Sequence, residues 1–153
     1  MLEGGAGSPP PLFASISHYG IRSKNNKKFN RARKIGYATG CCFGVRSLDF
    51  SKIGMFNEEF SMYGEDVDFS LNAKRNGGSI YFIPNSMIWH HVSSSLGGRF
   101  SYAKWKKKTF GVYKLIKLHV HPLIIPIPMV FLFVNSFFSL ILYSLLRAFT
   151  KDD

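Results

Sequence analysis

The apolar pattern of this chain starts late. Residues 1–11 are rich in Gly and Pro and carry no apolar run, so no signal peptide is expected there. Residues 12–34 are polar and basic without a clear period, which predicts loop with short strands; residues 1–28 together read as a flexible or truncated lead-in. From 37 to 46 the chain is apolar, aromatic and Gly-containing, the pattern of a buried strand. Ser47 is placed to cap a short helix reaching Ile53, with Gly54 to end it.

Residues 65–76 carry two patterns at once. Val67, Phe69, Leu71 and Ala73 alternate, as on a strand. The ends favour a helix: acids open the segment, Lys74 and Arg75 close it, and Gly77-Gly78 follow as a stop. Val67 with Leu71 and Phe69 with Ala73 are also i,i+4 pairs, so the spacing predicts a helix buried on two sides. Residues 79–83 form a short strand ended by Pro84, 87–92 a second apolar stretch, and 93–98 a Ser/Gly loop. Residues 101–119 have helical composition and a basic face. The stretch 122–146 lacks charge over about 25 residues, the length of a membrane-crossing helix. Pro122, Pro126 and Pro128 crowd its start, and Asn135 and Ser136 interrupt it where a partner helix could be met.

Charge sharpens this pattern. Lys and Arg number 20 against 9 Asp and Glu, for a net charge of +11. Such basicity calls for an anionic partner. One basic group lies between Arg22 and Lys34; the other, from Arg99 to Lys117, directly precedes the apolar stretch, as juxtamembrane residues do. These placements account for the charge without a nucleic acid, and none is expected. By the positive-inside rule the expectation is a single-pass membrane protein, soluble part cytoplasmic and C-terminus outside. The content of apolar residues, 46%, excludes a disordered chain. Adjacent Cys41 and Cys42 have no bridging or metal-binding spacing and read as small buried side chains in a reducing compartment.

Three of the nine acids, Glu65, Asp66 and Asp68, fall within four positions between apolar and aromatic neighbours. Carboxylates so crowded repel one another unless a helix N-terminus, a metal or a cation compensates. In the first turn of a helix an ionised carboxylate is favoured and is able to act as a general base; plain helix capping is the other reading. His90, after an apolar stretch, is a candidate for metal or phosphate, with a structural role as its alternative; His91 would face the opposite side of a strand. The loop from Ser93 to Arg99 could meet phosphate, but it lacks the lysine and flanking elements of a P-loop and reads rather as a linker.

The order of these features carries more than any one. Tyr37-Ala38-Thr39-Gly40-Cys41-Cys42, Arg46, the run from Ile53 to Phe60, Tyr63-Gly64-Glu65-Asp66-Val67-Asp68-Phe69, Tyr81-Phe82-Ile83-Pro84 and Trp89-His90 together resemble the C-terminal half of family 2 glycosyltransferases, and within them the bacterial rhamnosyltransferase-like group. The resemblance covers roughly residues 29–120. It implies an α/β architecture, part of a GT-A fold over 29–100, followed by a basic juxtamembrane helix at 101–121 and a transmembrane segment at 122–149. It also implies inverting transfer from a nucleotide-sugar to a hydroxyl of a glycan or lipid-linked acceptor. Asp66 would be the base and Glu65 its orienting neighbour; Thr39, Gly40, Tyr63 and Asp68 would border the acceptor; His90 would complete a divalent Mg or Mn site. The chain departs from the family pattern in three ways: no D-x-D precedes Asp66, Asn72 stands where an arginine is usual, and Gly78 where an aromatic is usual. It therefore reads as the acceptor-side portion of an enzyme, with three readings open: a fragment, one part of a split enzyme that works with a separate donor-binding half, or a pseudo-enzyme. The alternative is an inactive membrane-anchored remnant that serves as an interaction partner.

Overall fold

The computed structural model describes residues 4–5, 18–19, 29–88 and 101–149, with backbone alone for 4–5, 18–19, 143 and 146–149. These residues form two compact units, one up to residue 88 and one from residue 101.

In the first unit Gly4–Gly5 (β1) pairs antiparallel with His18–Tyr19 (β2), and Arg33–Lys34 (β3) pairs antiparallel with Tyr81–Phe82 (β4). Ile35 extends the second pairing by donating its N–H to the Ile80 carbonyl at 2.9 Å. Two helices complete the unit: Ser47–Ile53 (α1) and Glu65–Arg75 (α2). Among the described residues helix predominates, and neither sheet has more than two strands. The expected α/β, partial GT-A architecture is corrected accordingly.

The segment 37–46 shows why period misleads here. Ile35, Tyr37 and Thr39 are buried while their neighbours are less so, the alternation of a strand. Yet among the described residues this stretch pairs with no strand. The Ala38 N–H goes instead to the Ser70 hydroxyl and the Gly40 N–H to the Asp66 carboxylate, both on α2. A turn at 40–41 then ends the extended stretch. A period of two reports an extended backbone with one buried face; it does not report which acceptors take the N–H groups. Cys42 is exposed and Cys41 partly so, which corrects the expectation of buried thiols; both are free.

Glycine sets the ends of both helices. Gly54, at φ 106°, ends α1. Arg46 rather than Ser47 stands at the α1 cap position, and Ser47 is its first residue. At the end of α2, Gly77 has φ 78°; its N–H reaches the Lys74 carbonyl at 3.0 Å and that of Gly78 reaches Ala73 at 2.9 Å. This is a Schellman closure, which uses two carbonyls the helix leaves free. A Cβ on Gly78 would sit 2.8 Å from the Ala73 oxygen, a backbone atom that has no room to yield. Gly78→Ala is expected to cost about 1–3 kcal/mol. Gly77→Ala, strained only by its left-handed φ, is expected to cost about 1 kcal/mol. Urea midpoints for the two variants check that order.

The core of this unit is aromatic. Phe69 of α2 packs in tilted contact, at centroid distances of 5.9, 5.2 and 5.3 Å, with Phe43, Phe50 and Phe56. Phe56 also meets Phe43 and Phe50 edge-on. One ring thus ties α2 to the 41–46 loop, to α1 and to the chain leaving α1. Val67 and Ala73 are buried on α2 as expected, joined by Asp68 and Ser70.

The second unit is a helical hairpin of Tyr102–His119 (α3) and Pro126–Phe149 (α4), joined through a 3-10 turn at Pro122–Ile124. Ile116, Val120 and Leu132 form its buried cluster, with Val112, Ile125 and Met129 packed on it. Farther from the connection, the Thr109 and Ser136 hydroxyls lie 3.2 Å apart. Ser136 therefore meets a partner helix, and the partner is α3. The expected transmembrane helix at 122–149 is overturned: among the described residues no helix is long and apolar enough to cross a membrane. Pro122 opens the 3-10 turn, and the helix that begins at Pro126 buries part of one face on α3. A charge-free run in sequence counts apolar residues without showing that some of them serve an internal contact.

Candidate active site

The acidic cluster sits on a strained turn. Tyr63 adopts φ 69°, unusual for a side-chain-bearing residue, and Gly64 follows at φ 108° as the residue that caps α2. Two successive positive φ values cost of order 1–3 kcal/mol at the non-glycine position and persist only where surrounding contacts enforce them. The Gly64 carbonyl receives the Asp68 N–H at 2.8 Å, so α2 begins at once. No side chain of Gly64 is there to satisfy the free N–H groups of the first turn.

Asp66 supplies part of that satisfaction. Its Oδ1 accepts the Val67 N–H at 2.8 Å, ordinary capping within the first turn. Its Oδ2 accepts the Gly40 N–H at 2.9 Å, from a segment 26 residues away in sequence. The second bond goes beyond capping, because it orients the carboxylate against another part of the chain. The side chain stays partly open to solvent. A carboxylate offers about four lone-pair sites, so two remain for a substrate. A Cβ on Gly40 would rest 3.6 Å from the Asp66 Cβ, an ordinary contact; the N–H of residue 40 matters here more than its lack of a side chain.

Glu65 has the opposite environment. Its Oε2 is buried without a hydrogen-bond partner. Burial raises its carboxyl above the usual range; backbone hydrogen bonding at Glu65 and Tyr63 opposes this, and the Asp66 charge adds to it. Burial, then the Glu65 charge, also raises the Tyr63 phenol. A raised acid binds its proton more tightly in the folded chain. Its stabilising effect is complete below the ordinary carboxylate range and is lost as pH rises through the raised value. Near neutral pH the ionised Glu65 is a cost. Glu65→Gln is expected to stabilise the fold at pH 7 by about 0.5 kcal/mol, seen as a higher melting temperature, and small because the group is only half buried. The gain should vanish near pH 4, and thermal scans at the two pH values test it.

Not every expected residue converges. Asp68 is 2% exposed, turned inward, and accepts from Asn72 Nδ2 at 3.3 Å. Thr39 is also buried, with Oγ1 2.9 Å from the Cys41 sulfur. His90 lies outside the described residues. The structure adds two residues to the site. Tyr37 is buried, and burial, followed by the Asp66 charge, pushes its phenol well above its usual value. Ser70, 2% exposed, takes the Ala38 N–H at 3.1 Å. Tyr37 opens the Tyr37-Ala38-Thr39-Gly40 motif read from the sequence, whereas the signal for Ser70 was its i,i+4 spacing from Asp66.

Residues 28–150 match the family model described as glycosyl transferase family group 2. The chain belongs to that family. Within the group it is similar to the N-acetylglucosaminyl-diphospho-decaprenol L-rhamnosyltransferases of two Mycobacterium tuberculosis strains, CDC 1551 / Oshkosh and ATCC 25618 / H37Rv. In both cases 34% of 65 aligned residues are identical, which is 42% of this chain and 21% of the relative. The chain thus spans about a fifth of the length of the curated relatives it matches. No solved structure matches it.

Family 2 glycosyltransferases generally use a divalent metal. Among the described residues no group of three or more His, Cys, Asp or Glu is placed to hold one. The donor set explains this: Asp66 directs both oxygens to backbone N–H groups, and Asp68 is turned inward. The described residues do not by themselves form a metal centre.

Proposed function

We propose that this chain supplies the acceptor side of an inverting glycosyltransferase, moving a sugar from a nucleotide-sugar onto a hydroxyl of a glycan or lipid-linked precursor of surface polysaccharide. Asp66 is the general base. The observation that carries the proposal is the carboxylate held at both oxygens by backbone N–H groups, at the start of α2 and partly open to solvent. A fixed carboxylate takes the acceptor proton as the hydroxyl oxygen attacks the anomeric carbon; the sugar–diphosphate bond breaks on the opposite face and the nucleoside diphosphate departs. A base that needs no reorientation shortens the approach to this geometry.

The names of the relatives guide the choice of substrates for a first assay: a nucleotide-activated rhamnose as donor and a polyprenyl-diphosphate-linked N-acetylglucosamine as acceptor. The test is transfer of radiolabelled sugar by the native assembly containing this chain, wild type beside Asp66→Asn. Loss of transfer with the chain still folded supports the proposal, and transfer at the wild-type rate overturns it.

A further inference from the structure

Asp66 and Ser70 are one helical turn apart and share a face of α2. Each accepts one backbone N–H from the same short segment: Gly40 to Asp66 Oδ2 at 2.9 Å and Ala38 to Ser70 Oγ at 3.1 Å. The spacings agree. Four helical residues rise about 6 Å, and two extended residues span about 6.6 Å. In an extended chain the N–H groups of residues 38 and 40 point to the same side, so both are able to face the helix. Their neighbours Tyr37 and Thr39 are buried on the alternating positions. The side chains of α2 thus take the place of a neighbouring strand for this segment.

From this arrangement we infer that Ser70 is a positioning residue for Asp66, acting through the 38–40 segment. The inference rests on the proposed role of Asp66 as base. At 2% exposure Ser70 is closed to any substrate, so its effect passes through the backbone. Its hydroxyl sets how far the 38–40 segment slides along α2. That setting decides whether the Gly40 N–H meets Oδ2 and so whether the carboxylate points outward in one orientation. Without an acceptor at position 70, the Ala38 N–H has no partner on α2, and the register is held at one point in place of two.

Two variants of the full chain test this. Ser70→Ala removes the acceptor, and Ser70→Cys replaces it with a weak one at nearly the same volume, which carries the test if the alanine variant fails to fold. Amide hydrogen exchange at Gly40, followed by NMR, is expected to quicken about tenfold in either variant while the amide of Ala73 within α2 keeps its wild-type rate. In the transfer assay kcat should fall about tenfold with KM for the nucleotide-sugar unchanged, the mark of a misplaced base rather than a lost binding contact. Wild-type exchange at Gly40 in both variants, or an unchanged kcat in the folded variants, overturns the inference even if Asp66→Asn is inactive. If Asp66→Asn stays active while Gly40 exchange quickens, the base assignment fails and Ser70 loses its catalytic meaning, though the clamp itself is seen.

Discussion

Asp66→Asn is expected to lower sugar transfer by between about a hundredfold and about ten-thousandfold, the range that a positioned general base contributes. The substitution does more than remove a charge. Both carboxylate oxygens accept backbone N–H groups, from Val67 at 2.8 Å and Gly40 at 2.9 Å. An asparagine has one oxygen, so its NH₂ must face one of these donors. Donor against donor pushes the 38–40 segment away or turns the side chain, at a cost of about 1 kcal/mol in stability. A modest drop in the urea midpoint should therefore accompany the loss of transfer. Asp66→Glu separates the two effects. It keeps the charge but moves the carboxylate outward by about one bond, a displacement expected to cost on the order of a hundredfold in rate. Steady-state kinetics on both variants, with circular dichroism to confirm folding, checks the pair. An Asp66→Glu enzyme with the wild-type rate would contradict the role assigned to the two backbone donors.

The second large effect is structural. Phe69→Ala is expected to cost about 3–5 kcal/mol. Phe69 is 6% exposed and touches three other rings, so its loss leaves a cavity bordered by three separate segments. Ring pairs of this kind add about 0.5–1.5 kcal/mol each beyond the area they bury. A unit whose total stability is of order 5–15 kcal/mol loses a large share of it. The near-ultraviolet circular dichroism of the aromatic cluster should weaken and the urea midpoint should fall sharply. Phe69→Leu, which refills most of the space, should recover more than half of the loss. Equal loss in the leucine and alanine variants would show that the ring contacts, and not the filled volume, hold this unit.

Helix α2 was legible because its signals are local. Three acids in its first turn, Lys74 and Arg75 in its last and Gly77-Gly78 behind it act within a few residues of one another, and the observed Glu65–Arg75 follows them closely. The same is true of Ser47–Ile53 ended by Gly54 and of the helix over Tyr102–His119. The short strand expected at 79–83 is present as Tyr81–Phe82, but its pairing with Arg33–Lys34 was not legible. Residues 37–39 alternate in burial as a strand does, but pairing depends on which chain lies alongside, and here it is the side chains of a helix. The stretch 122–146 misled for a related reason. Its lack of charge is a property of composition, whereas its packing on α3 through Leu132, Met129 and Ser136 depends on a hairpin whose contacts join residues up to 27 apart.

The candidate site divides along the same line. The order of the motifs singled out Glu65 and Asp66 as candidates and pointed to the family to which the chain belongs, because residue types at set spacings are written in the sequence itself. Local rules also placed both acids at the start of a helix. Tertiary structure decided what each acid became. Asp66 gained a second backbone donor from Gly40, Glu65 was left with a buried oxygen lacking a partner, and Asp68 was turned inward. Those differences arise from contacts between residues distant along the chain. Spacing within a helix reaches one turn, and only folding brings residue 40 to residue 66.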